Sequence, residues 1–258
     1  MAADIQRPAR RVVKDLPLTR LLPNMLTLMS LCSGLTGMRL SLEGKWEHAV
    51  MAIVIAAVFD ILDGRVARML NMASKFGAEL DSLSDAISFG VAPAFVLYEW
   101  SMKDNADFGW VAVLVFAVCA ALRLARFNTM LEDTTIPVWA KRYFNGVPAP
   151  AGAGLALLPM MLVLAFGDEL KPLSGLLSVW VMLAGGLMVS RLPTLSMKGW
   201  RIEPIWIAPI FVMVALFVAA IISYPWIALS AAALIYLISL PVGYLVYKKR
   251  QKLEEAVP

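Results

Sequence analysis

Long apolar blocks separated by short polar ones dominate the chain, and the length of the blocks decides what they are. Runs of about 17 to 23 mostly apolar residues are long enough for a helix to cross the hydrocarbon core of a bilayer. The pattern predicts eight spans, at residues 21–40, 49–62, 83–102, 109–124, 149–166, 173–190, 205–222 and 226–247. The expected fold class is therefore all-α, a polytopic transmembrane helical bundle. Pro172 opens the sixth expected span, where a missing N–H costs nothing, and Pro225 falls in the tight Ser223-Tyr224-Pro225 turn expected between the last two. Pro93, Pro209 and Pro241 fall inside spans and predict kinks.

The polar segments give the topology. Arg7, Arg10, Arg11, Lys14 and Arg20 precede the first span, and Lys248, Lys249, Arg250 and Lys252 follow the last. Basic residues near helix ends are retained on the cytoplasmic side, so both termini are expected there. Of the 23 Lys and Arg residues, only Arg39, Lys45, Lys103 and Lys171 then fall on outer turns. Residues 1–20 are polar and basic, so no cleavable leader is expected and the first span itself would direct insertion. Interleaved Val12, Val13, Leu16 and Leu18 suit a short helix on an anionic membrane surface. The expected organisation is a basic leader at 1–20, a transmembrane core at 21–190, a further C-terminal pair of spans at 191–247 and a basic tail at 248–258.

Composition agrees. The 258 residues are 60% hydrophobic with a mean hydropathy of +0.74, against roughly 45 to 50% for a soluble domain. Cys32 and Cys119 lie in apolar runs and read as small buried residues with no disulfide. His48 is the one histidine, which excludes mechanisms needing two. No nucleic-acid partner is expected; the partners are membrane lipids.

One stretch breaks the apolar pattern. FDILDGRVARMLNMASKFGAELDSLSD, at 59–85, sets four aspartates at the cytosolic ends of the second and third spans. Asp60 and Asp63 are one helical turn apart, as are Asp81 and Asp85, so the two pairs can converge from neighbouring helices. Four carboxylates this close repel unless cations sit between them. Hard oxygen ligands without nearby Cys or His suit Mg²⁺ or Mn²⁺ rather than zinc, and four aspartates fit two divalent ions better than one. Gly64 and Gly77 allow close approach, and Arg68, one turn past Gly64, suits a phosphate or pyrophosphate.

The pattern Asp60-x2-Asp63-Gly64-x2-Ala67-Arg68-x8-Gly77-x3-Asp81-x3-Asp85 resembles the signature of the CDP-alcohol phosphotransferases and matches all eight of its positions. The resemblance implies a six-helix catalytic core, a homodimer, and an active site facing the cytosol from the inner membrane. It implies that Asp60, Asp63 and Asp81 bind metal, and that Asp85, also near the metal, is the general base. It implies that Gly64, Arg68, Ser74 and Gly77 contact the CDP end of the lipid donor. Pro23-Asn24-x2-Thr27 resembles a stretch that approaches the nucleotide. The implied reaction has Asp85 take a proton from an acceptor hydroxyl, whose oxygen attacks the lipid-side phosphorus while CMP leaves.

The acceptor is read elsewhere. RLARFN at 123–128, FNGVPAP at 144–150 and SRLPTLSMKG at 190–199 resemble the type II phosphatidylserine synthases, which implies CDP-diacylglycerol and L-serine as substrates. Serine presents a carboxylate, which Arg123 or Arg126 with Asn128 could bind. Lys141 and Arg142 could instead serve a phosphorylated acceptor, which keeps glycerol 3-phosphate as an alternative. The lone His48 excludes the paired-histidine covalent route, so direct transfer is expected. A cation or proton transporter is the alternative from another class, but it would need acidic groups through the membrane depth. The last four spans have none in their interiors.

Overall fold

The computed structural model describes residues 21–70, 74–132, 143–190, 192–195 and 206–255. The basic leader, Lys141, Arg142 and residues 196–199 lie outside them. The described chain is helical apart from one short strand pair. In order come α1 (Leu22–Leu42), α2 (Trp46–Met69), α3 (Lys75–Asp85), α4 (Ala92–Leu97), α5 (Ala106–Glu132), β1 (Tyr143–Asn145), α6 (Ala149–Phe166), α7 (Ser174–Val189), β2 (Pro193–Leu195), α8 (Ile207–Ser223) and α9 (Pro225–Glu255). Among the described residues, four helical stretches are long and apolar enough to cross a membrane: Leu22–Leu42, Lys75–Thr129, Ala149–Phe166 and Pro225–Leu245. Ser174–Val189 and Ile207–Ser223 are shorter apolar helices.

The Lys75–Thr129 stretch is two arms joined by a turn. A 3₁₀ turn at Lys103–Asn105 reverses the chain, and α5 returns along the first arm. Gly109 makes the reversal tight, because a Cβ there would lie 2.7 Å from the Met102 carbonyl oxygen. Tyr98 and Trp110 meet edge to face across it, with ring centroids 5.5 Å apart. The expected kink at Pro93 takes the form of a π-helical turn, Ala86–Val91, immediately before it. Widening the helix there relieves the clash between a proline ring and the preceding turn.

Two expectations are corrected and one feature is added. Pro209 lies in the first turn of α8 rather than its interior, so it removes no helical hydrogen bond. Pro159 is inside α6 and was not anticipated. Cys32 is exposed on the outer face of α1 rather than buried.

The first helix is the spine of the site, and it is built inside out by the standards of a soluble helix. Its buried side chains are Pro23, Thr27, Ser30, Gly34, Gly37 and Ser41, while Met25, Leu28, Met29 and Leu35 face outward. In lipid, apolar side chains gain nothing by turning inward, and small residues let backbones approach. Gly37 sits against the Ala49 carbonyl oxygen, 3.0 Å from where its Cβ would be. Ser30 donates to the Ala56 carbonyl at 2.9 Å. Across the other face, Ser88 donates to the Ser30 carbonyl at 3.2 Å and Ser84 to the Thr27 carbonyl at 3.1 Å. Thus α1 clamps α2 to the α3 arm.

Candidate metal and phosphate centre

The clamp brings the aspartate pairs together. Asp60 and Asp63 project from the C-terminal part of α2, and Asp81 and Asp85 from α3. One carboxylate oxygen each from Asp60, Asp63 and Asp81 lie within 4.8 Å of one another. Asp63 is buried, and Thr27 donates to its Oδ2 at 2.6 Å, fixing the carboxylate's direction. Asp85 contacts Asp60 directly, and its Oδ1 is buried with no hydrogen-bond partner among the described residues. An orphaned carboxylate oxygen beside three converging ones is a donor set of the kind that hard divalent cations take. The residues fit the metal that the signature implies.

Beside this cluster is a cavity of about 320 Å³ lined by Asn24, Thr27, Asp63, Gly64, Arg68, Ser74, Gly77 and Asp81, with Pro23, Ala67 and Ala78. It gathers every residue that the sequence assigned to the CDP-lipid. Ser74 is the N-cap of α3, and its hydroxyl accepts from the Gly77 N–H at 3.0 Å. The first turn of α3 therefore faces the cavity, and a helix N-terminus favours an anion. Gly77 is needed for packing: a Cβ would lie 3.1 Å from both Asn24 Oδ1 and Ser74 Oγ.

Gly64 is different. A Cβ there would meet only the Arg68 guanidinium, at 3.9 and 4.0 Å, so the space beside it belongs to the cavity. Gly64→Ala is expected to leave thermal stability unchanged. It should weaken CDP-lipid binding by about tenfold, on the order of 1.4 kcal/mol. Unchanged affinity in a binding titration would remove Gly64 from the contact surface.

The acceptor candidates separate. Arg126 donates from Nη1 to the Val189 carbonyl at 2.8 Å and from Nη2 to the Ser190 carbonyl at 3.2 Å, capping the end of α7. β1 and β2 pair antiparallel beside it, with Phe144 opposite Thr194. Gly146, at φ 86°, bends the chain where a Cβ would strike the Met188 and Ser190 carbonyls. The three stretches that carried the acceptor resemblance thus meet in one knot. Asn128 Nδ2 donates to Ser82 Oγ at 3.0 Å, tying α5 to α3. Arg123 alone of the three faces the aspartates: it lies within electrostatic reach of Asp85 and Asp60 and over the Phe127 ring at 5.9 Å.

Ser30, Ser84 and Ser88 were missed in the sequence, although small polar residues three or four apart in apolar helices were the available signal. Comparison with known proteins agrees with the geometry. A CDP-diacylglycerol–serine O-phosphatidyltransferase of Mycobacterium leprae is 41% identical over 235 residues, 91% of this chain and 77% of that protein. One of the same name from Helicobacter pylori is 33% identical over 84% of this chain and 88% of its own length. An archaetidylserine synthase of Methanothermobacter thermautotrophicus is 32% identical over 66% of this chain and 70% of its own. Residues 206–241 match the description CDP-alcohol phosphatidyltransferase 2. Residues 20–190, which hold the whole aspartate cluster and its cavity, match CDP-alcohol phosphatidyltransferase, and the chain belongs to that family.

Proposed function

We propose that this chain transfers the phosphatidyl group of CDP-diacylglycerol to the hydroxyl of L-serine, forming phosphatidylserine and CMP. The carrying observation is the single cavity that joins Asn24, Thr27, Gly64, Arg68, Ser74 and Gly77 to Asp63 and Asp81. The names of the relatives support serine as the acceptor.

In this reading Arg68 and the first turn of α3 hold the diphosphate, and Gly64 and Asn24 leave room for the nucleotide. Asp60, Asp63, Asp81 and Asp85 would hold two divalent ions, Mg²⁺ or Mn²⁺. When bound, such ions supply electrostatic stabilisation of charge developing on phosphate oxygens. Asp85 takes the serine hydroxyl proton, the serine oxygen bonds to the lipid-side phosphorus, and the bond from that phosphorus to the CMP oxygen breaks. Arg123 holds the serine carboxylate, whereas Arg126 and Asn128 hold the walls in place.

The remaining architecture follows. The helices are read as eight spans, with a six-helix catalytic core at 21–190 and an added pair at 191–247. Both ends and the site face the cytosol from the inner membrane, and the enzyme works as a homodimer. An acceptor panel is the test: purified protein, CDP-diacylglycerol, Mg²⁺ or Mn²⁺, and serine, glycerol 3-phosphate, inositol or choline, read by CMP release. Serine is expected to be preferred and chelation to abolish release. Preference for glycerol 3-phosphate would overturn the acceptor assignment.

A further inference from the structure

Two donors near the aspartate cluster make no hydrogen bond among the described residues, besides the Asp85 oxygen already placed in the metal donor set. Asp85 Oδ1 and the Tyr236 hydroxyl are buried without a hydrogen bond among the described residues. Arg123 is half-buried, and among the described residues its guanidinium makes no ion pair or hydrogen bond, only the contact with the Phe127 ring. Arg123 is within electrostatic reach of Asp85, Asp60 and Tyr236 together. Donors left unpaired away from water are costly, and two within electrostatic reach of one another mark a place where a ligand can supply the acceptor.

The ligand's charge can be read from the donors. A guanidinium and a phenol O–H both present hydrogen to a single acceptor, and a carboxylate takes two such bonds at once. Tyr236 comes from α9, outside the 20–190 match, and stands in the wall of a cavity of about 240 Å³ lined by Ala57, Phe89, Gly154, Leu157 and Leu229. That wall is apolar, so a charged group beside it is held by few partners, each of which carries much of the binding.

We propose that Tyr236 determines acceptor specificity, its hydroxyl donating with Arg123 to the carboxylate of the amino-acid acceptor next to Asp85. This role rests on the serine reading above. It gives α9 a share in the site and accounts for a buried phenol hydroxyl that has no partner among the described residues. A neutral acceptor or one with a phosphate would meet a pocket of different charge and shape.

The test is steady-state kinetics on the full-length protein and Tyr236→Phe, each with serine varied at saturating CDP-diacylglycerol and then the reverse. The substitution removes a hydroxyl that bonds to nothing among the described residues, so a folded variant is expected. Loss of a hydrogen bond to a charged group should raise KM for serine about 10- to 100-fold, with KM for CDP-diacylglycerol unchanged. An unchanged serine KM would overturn the proposal. A raised KM for the lipid would overturn it too, assigning Tyr236 to the lipid phosphate. If the unsubstituted protein releases no CMP with serine, the serine reading fails and Tyr236 loses its role with it. Turnover by the unsubstituted protein with an unmoved KM fails Tyr236 alone.

Discussion

Asp85→Asn is expected to lower CMP release by about 10²- to 10⁴-fold, the worth of a positioned general base. CDP-diacylglycerol binding should stay within a few fold, because Asp85 is not among the residues lining the lipid-side cavity. The substitution is close to isosteric. Its amide can donate to Asp60, the carboxylate that Asp85 already touches, so the helix pair has no reason to part. Burst and steady-state measurement of CMP, beside a lipid-binding titration, separates chemistry from binding. Retention of more than about a tenth of the turnover would exclude Asp85 as the base.

Gly34→Ala is expected to cost about 1–3 kcal/mol of stability and much of the activity as well. A Cβ at Gly34 would lie 2.7 Å from Ser88 Oγ and 2.8 Å from Ser88 Cα. Backbone cannot swing aside as a side chain can, so α1 or the π-helical turn must move. Ser88 is one turn beyond Asp85, and any shift there displaces the proposed base. Gly186→Ala is the control, since a Cβ there meets nothing within 4 Å. Thermal unfolding in detergent, with activity measured on the same samples, distinguishes the two. Equal melting temperatures for the two variants would mean that the α1 contact is looser than described.

The acidic pairs were legible because their chemistry is unusual at membrane depth and their spacing fixes a shared helix face. Asp60, Asp63 and Asp81 converge as the spacing required. The clamp behind them was not legible, since hydrophobic periodicity locates the core of a soluble helix but the lipid face of this one. Thr27 was noticed for its place near the nucleotide, while its hydrogen bond to Asp63 needed three dimensions. Arg123 and Arg126 are likewise one turn apart and alike in sequence. Only the packing of α7 shows that Arg126 is committed to carbonyl oxygens.

The clamp also bears on when the site comes into being during synthesis. With only the first two helices inserted, Thr27 and Ser30 already meet Asp63 and the Ala56 carbonyl, but the hydroxyls of Ser84 and Ser88 have not arrived. The third segment completes the enclosure, so a nascent chain released before it would carry Asp60 and Asp63 without the aspartate-bearing helix that faces them, Thr27 alone holding Asp63. Membrane quality-control proteases that recognise unpaired polar groups should remove such fragments quickly.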